Sequence, residues 1–492
     1  MKDYRFGNFL SELRERSGLS QYQLGSLVGV SNKAVSKWEN GLARPNSKVL
    51  PKLSSVLGVT ADELLACKYN TSTEREDILA MKNSIWEKSF ENMKELYGET
   101  VPIQVLNRYE SEKAELEKTD LILYFMLLSK IIAKSKALGE QILVRGDTGA
   151  SFVAYLLGAV NINPLSPHYV CPKCRKTDFV QSVADGWDLS PKECDCGHMM
   201  KRMGHQIPFS LYKNRLLEKN RFDVSVSNAF HQHIYQVIAE CCTELSVTIK
   251  EDTHSEESKS FTVFPTNLGD SKVDSTKCFT IFVLPFGTLD LCRKLQKCTN
   301  TSMEHVNFLD SQVLARFQMP DTDDIIEFSS EYAKHMIKEL HPQKFSHLLK
   351  ISGLSHSSGA WETNERELML KNTIRIDDII AYRDDVYNTI YSHMLKMGYT
   401  ETGIANWIAE KMRKGGLPQQ EDYEETEKIM TMLNLPKWYL DALKKITYLF
   451  PKAHGISYVQ LALILMWYKV NYSELYLELF GKPCNKKSYA LI

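Results

Sequence analysis

Apolar positions recur at helical spacing from the first turn of the chain. Leu10 and Leu13 open an apolar face that Gly18 ends. Ser20 followed by Gln23 predicts a capping box, and beyond it a helix that turns Leu24 and Leu27 inward. Gly29 permits a tight turn, Ser31 caps a third helix over Asn32–Glu39, and Gly41 closes it. Two helices joined by a short glycine-bearing turn predict a helix-turn-helix unit. On its third helix, Ala34, Val35 and Trp38 fall on the core side.

The pattern then changes. Residues 68–77 (KYNTSTERED) lack apolar anchors and predict a linker. A long helix over roughly 78–96 carries Trp86, Phe90 and Met93 at near-helical intervals, and 121–137 (LILYFMLLSKIIAKSKA) predicts a buried helix. Residues 250–260 (KEDTHSEESKS) predict a solvated loop without core residues. Helical patterns dominate from about 338. The longest apolar run, 458–468 (YVQLALILMWY), is too short to span a bilayer, so it predicts a buried helix and no membrane association. There are no internal repeats.

A chain of 492 residues exceeds one ordinary core and implies two to four domains. Hydrophobic content of 43% and charged content of 25% are those of a soluble globular protein. The net charge of −1 means that any nucleic-acid-binding surface must be locally basic. The N-terminus has no apolar segment of the signal-peptide kind. Eleven cysteines without an export signal therefore imply reduced thiols and a metal rather than a disulfide scaffold.

Four of those thiols are spaced for a metal. Cys171 and Cys174 form a C-x-x-C pair, and Cys194 and Cys196 follow about twenty residues later. Four thiolates satisfy a tetrahedral zinc ion and leave no position for water, so the expected zinc is structural. Lys173, Arg175 and Lys176 would offset its negative charge, and His198 is close enough in sequence to replace one sulfur. The alternative is four reduced structural cysteines. Cys241 and Cys242 read as ordinary buried thiols.

The stretch LSQYQLGSLVGVSNKAVSKWENGLARPNSKVLPKLSSVLGVTADELL is similar to the Cro/repressor-type (XRE) helix-turn-helix family. That resemblance implies a third helix in the major groove of double-stranded operator DNA. Asn32, Lys33, Ser36 and Lys37 would face base edges or phosphates, with Gln21 and Gln23 near the backbone. Asn can pair two atoms of adenine, and Lys can donate to guanine or phosphate. The family also implies a homodimer on two half-sites.

From about residue 96 to 480 the chain resembles the PolC-type DNA polymerase III alpha subunit. The words that carry this are LYGETVP, RGDTGASFVAYLLG, NPLSPHYVCPKC, GHQIPF, FSHLLKISGLSHSSGAW, YRDDVY and LPKWYLDALKKITYLFPKAHGISYV, in the family's order. The implied fold is multidomain: an all-α helix-turn-helix domain (1–67), a linker and helix (68–95), then an α+β polymerase core. That core comprises a reduced palm (96–335, with a zinc knuckle at 168–206) and helical fingers (336–492). The resemblance implies a nucleotide site of Arg145, Gly146, Gly149 and Ser151, closed from the fingers by Arg383, Lys452, His454 and Tyr458. Asp147 departs from the family by placing an anion near the expected phosphates.

Further departures bear on activity. The family places two aspartates, one residue apart, after GHQIPF; here the matching positions hold Asp223 and Ser225. A third family aspartate follows an apolar strand, where TIFVLPFG puts Phe282. Serine and phenylalanine supply none of the anionic oxygens that Mg²⁺ favours. The expectation is a pseudoenzyme with no catalytic residue and no catalytic Mg²⁺. Its role would be a transcription regulator whose polymerase part senses a dNTP, a primer end or a polymerase-directed small molecule. One alternative is a polymerase mimic that engages a phage or replication protein as a decoy in phage defence or inhibitor resistance. Another is a residual polymerase or nuclease using Asp223 with Asp384 and Asp385, which otherwise form a solvated helix face beside Arg383.

Overall fold

In the computed structural model, residues 4–481 are described, except 58, 60, 68–70, 255–256, 266–277, 320, 358–360 and 416. The chain divides into two units, 1–84 and 85–492. The division falls inside one helix, Thr71–Tyr97. That helix begins within the segment expected to be a linker: a short polar stretch with Thr, Glu and Arg has helix propensity even without apolar anchors. Of the expected linker, 68–70 lie outside the described residues.

The first unit is built from α1 (Tyr4–Arg16), α2 (Gln21–Val28), α3 (Asn32–Glu39), α4 (Leu50–Leu57) and α5 (Ala61–Ala66). Ser20 and Gln23 form the expected capping box, Gly29 turns at φ +81°, and Ser31 caps α3. Phe6, Leu10, Leu13, Leu24, Val28, Val35, Trp38 and Leu53 make one core. Leu27, expected inward, is 47% exposed. Gly25 explains the difference: a Cβ there would lie 2.8 Å from the Val30 carbonyl oxygen. The close approach rolls α2 so that Leu24, Gly25 and Val28 face inward. At the other end of α3, Glu39 accepts from Arg14 Nε at 2.6 Å and Gln21 Nε2 at 2.8 Å, tying three helices together.

The second unit holds two sheets. The larger contains β1 (Leu143–Arg145), β5 (Arg221–Val226), β6 (Val247–His254), β7 (Lys259–Pro265) and β8 (Phe279–Pro285), in the order β1-β5-β8-β7-β6. Only β5 and β8 pair in parallel; the other neighbours are antiparallel. The smaller sheet, β3-β2-β4, contains β2 (His168–Val170), β3 (Thr177–Phe179) and β4 (Lys201–Met203). The described residues of 250–260 do not form a solvated loop, and 255–256 lie outside them. Most of them belong to the β6–β7 hairpin, whose alternation buries Lys259, Phe261 and Val263.

Strand alternation fixes where the chemistry lies. Phe222, Val224 and Val226 of β5 are buried, as are Phe279, Ile281 and Val283 of β8. The buried helix Leu121–Ala137 packs on this face, with Phe125 stacked on Phe222 and Tyr124 on Phe279. The opposite face therefore carries Arg221, Asp223, Ser225, Phe282 and Leu284. Helix Lys452–Asn471 packs close to this region. A Cβ at Gly149 would meet Ala453 at 3.0 Å, and one at Gly455 would meet the Tyr382 hydroxyl at 2.2 Å. Among the described residues, no helix is long and apolar enough to cross a membrane.

Candidate functional site

The open face of β5 and β8 borders a cleft of about 350 Å³. It is lined by Arg145, Gly146, Asp147, Arg215, Arg221, Asp223, Phe282, Leu284, Tyr448, Phe450, Pro451 and His454. Asp223 lies across from Arg145 on β1 and beside Phe282 on β8. The structure thus brings Asp223 and Phe282 into register, with Ser225 two residues along the same strand. Ser225 is buried.

Asp223 is engaged within its own strand. Arg221 Nε donates to Asp223 Oδ1 at 2.6 Å, and the Arg221 guanidinium lies 4.1 Å from the centre of the Phe282 ring. The phenyl ring therefore supports a cation next to the carboxylate, a stacking that favours a guanidinium over a flexible ammonium. Asp147 is likewise paired, to Arg215 Nε at 3.1 Å and Arg383 Nη2 at 3.3 Å. Burial holds the His454 ring down at about 4, so it is neutral near pH 7. The cleft then carries three guanidinium groups against two carboxylates. Arg145 Nε is buried without a hydrogen-bond partner.

The eight residues expected to hold a nucleotide separate into two groups. Arg145, Gly146 and His454 line the cleft. Tyr458 is packed against the His454 ring, at 4.8 Å between centroids. The remaining four are engaged elsewhere. Arg383 is fully buried, bonded to Asp147 and Glu410 and lying over the Tyr212 ring at 5.0 Å. Lys452 Nζ donates to the His205 carbonyl at 2.6 Å and lies 3.7 Å from Asp185. Ser151 caps helix Phe152–Leu156 and donates to Glu112, whose carboxylate also accepts from the Phe152 and Val153 amides. The amides at that helix start, expected near phosphate, thus serve an internal anion. Gly149 allows close packing against Ala453 and Ile162.

Asp384 and Asp385 do not join Asp223, and Asp384 is no solvated face. It is buried, accepting from the Tyr212 hydroxyl at 2.5 Å and the Lys452 amide at 2.9 Å. Burial raises its pKa. Asp385 accepts from the Ala381 and Tyr382 amides and pairs with Lys350 at 2.8 Å. Sequence reasoning missed Arg215 and Arg221. A signal for Arg221 existed: it precedes Asp223 by two residues, so a strand must put both on one face.

Cys171, Cys174, Cys194 and Cys196 converge, with all four sulfurs within 4.8 Å of one another. The shortest separations are 3.4 Å (Cys171–Cys196) and 3.5 Å (Cys174–Cys194). A tetrahedral site with bonds of about 2.3 Å sets sulfurs roughly 3.8 Å apart, so the donor set fits such an ion. Among the described residues this is the one group of three or more His, Cys, Asp or Glu side chains that could hold a metal. Lys176 pairs with Asp195 at 2.8 Å, which limits its use in offsetting thiolate charge.

On α3, Asn32, Lys33 and Lys37 are exposed and Ser36 is half-buried. Of the two glutamines, Gln21 is bonded to Glu39 and Gln23 accepts from the Ser20 amide to close its cap.

Residues 10–64 match the family model "Helix-turn-helix". Residues 83–351 match "Bacterial DNA polymerase III alpha NTPase domain", and 288–434 match the "Bacterial DNA polymerase III alpha subunit finger domain". The chain is similar to "DNA polymerase III PolC-type" of Clostridium perfringens, at 26% identity over 77% of this chain and 31% of that protein. It is similar to the protein so named in Bacillus subtilis, at 27% over 80% of this chain and 32% of that protein. The chain thus spans about a third of the length of the curated relatives it matches.

Proposed function

The chain belongs to the bacterial DNA polymerase III alpha family, and from that premise we propose that it is a transcription regulator with a catalytically silent polymerase core. One observation carries the reading: the palm carboxylate Asp223 is bonded to Arg221, with Ser225 and Phe282 beside it. Two-metal transfer needs several carboxylates that hold divalent ions against the reacting phosphate. A single aspartate already neutralised by a guanidinium does not provide them. The helix-turn-helix unit supports the other half of the reading, since α3 presents Asn32, Lys33 and Lys37 to solvent.

In this proposal a cytoplasmic homodimer grips operator DNA through α3 of each copy. The four cysteines hold a structural zinc ion. The core acts as sensor for a dNTP, a primer end or a polymerase inhibitor. A ligand alters operator affinity only by binding one conformation better than another. The test has two readouts. Primer extension with Mg²⁺ or Mn²⁺ is expected to yield no product, and extension abolished by Asp223→Ala would end the pseudoenzyme reading. Operator affinity is expected to shift with at least one nucleotide or inhibitor, and a flat response to all of them removes the sensor.

A further inference from the structure

We infer that the cleft beside β5 and β8 binds a polyphosphate anion without a divalent cation, with the Arg221 guanidinium standing in for the ion. The ligand class is inorganic pyrophosphate or the phosphate tail of a nucleotide. The inference deepens the sensor reading and rests on the palm being silent.

A divalent ion between a carboxylate and a phosphate neutralises the first and attracts the second. Arg221 does the first through its bond to Asp223. A guanidinium offers five donors in a planar fork, more than one carboxylate oxygen uses, and such forks match phosphate geometry. The Phe282 ring lies against that fork, 4.1 Å from the guanidinium carbon to the ring centre. The phenylalanine that removes a metal ligand thus supports the cation replacing the metal.

The rest of the cleft has the same bias. Arg145 and Arg215 line it with Arg221, and only Asp147 and Asp223 oppose them. Arg145 Nε is buried and unpartnered, a donor whose desolvation an anion would offset. A divalent cation meets the opposite conditions. It would have to expel Arg221 from Asp223, and Asp147 already carries Arg215 and Arg383 on its two oxygens. Tyr448 and Phe450 line the same cavity and give flat apolar surface for a base, which favours a nucleotide over bare phosphate.

Calorimetric titration of the full chain tests this, using pyrophosphate and each dNTP, in chelator-free buffer without added divalent ion and in Mg²⁺. Binding is expected without Mg²⁺, no weaker than with it. Arg221→Gln is expected to weaken it at least tenfold with unchanged helix content and metal content. If that variant does not fold, Phe282→Leu is the substitute; it keeps an apolar side chain, removes the stack and is expected to cost three- to tenfold. Pyrophosphate binding on its own identifies phosphate recognition as sufficient, whereas binding only of dNTPs identifies a nucleotide as the source. Binding that requires a divalent ion, no binding of either probe, or binding indifferent to the available variant overturns the inference. Operator affinity measured on the same samples separates the two proposals. Binding without Mg²⁺ but with no operator shift removes the sensor and leaves the anion site. An operator response without such binding removes the anion site alone.

Discussion

The cysteine knuckle and the cleft beside β5 and β8 are two strand-built sites in one unit with opposite arrangements of charge. In the knuckle, four sulfurs 171–196 still point at a common centre. In the cleft, the surviving carboxylate points at a guanidinium of its own strand. The difference lies in what each fold needs. The knuckle has a small core, with Tyr169, Cys171, Leu189, Cys194 and Met200 as its buried cluster, so a metal held by its cysteines would contribute much of its stability. The cleft rests on a five-stranded sheet and buried helices, so its backbone does not depend on an ion. A metal site that stabilises its fold is kept under selection for folding alone, whereas one that only serves chemistry can be converted.

The largest expected effect tests the knuckle side. Cys171→Ser should remove one bound metal per chain and unfold residues 168–206, since structural zinc sites carry on the order of 10 kcal/mol of coupled folding free energy. Metal analysis and limited proteolysis check it, and a folded, metal-free knuckle would erase the contrast. The cleft side should tolerate loss of a cation less evenly. Arg383→Ala takes one of two arginines from the buried Asp147 and should cost about 1.5–3 kcal/mol by denaturant unfolding. The half-exposed Arg221→Ala should cost about 1 kcal/mol or less by the same measurement.

Acid should affect both regions. Burial lowers His454 in the cleft and His168 beside the knuckle to about 4. A histidine depressed in the folded state contributes stability that is present above its unfolded value of about 6.5. That stability is lost as pH falls toward 4. Each should account for up to about 3 kcal/mol, read as a falling Tm between those limits. His454→Gln should flatten the cleft's share only. A separate effect lies in the other unit: Asn32→Ala should weaken operator binding by about 1–2 kcal/mol in a gel-shift titration, with no change in the core's Tm.

Much of the fold was legible because its signals are local. The Ser20–Gln23 cap, the left-handed turn at Gly29 and the helix over 121–137 announce themselves within a few residues. The paired cysteines did too. Partnerships across long sequence separations were not legible. Nothing near Arg383 reveals that Asp147, more than two hundred residues earlier, neutralises it, nor that Glu112 occupies the amides after Ser151. Asp384 read as solvated because its acidic neighbour suggested a surface, while Tyr212 and the Lys452 amide bury it. The pairing of β6 with β7 was hidden because most of the residues of 250–260 are polar, with Phe261 and Val263 lying just beyond.

Arg383 is the first residue of helix Arg383–Lys396, and Asp147 sits in the turn after β1. Their buried link rivets the helical lobe to the sheet that floors the cleft. Swinging that lobe outward would expose an arginine and an aspartate already stripped of water, a penalty of several kcal/mol. Movement of the lobe is therefore costly, and a ligand that drives it must favour the moved state by at least that margin.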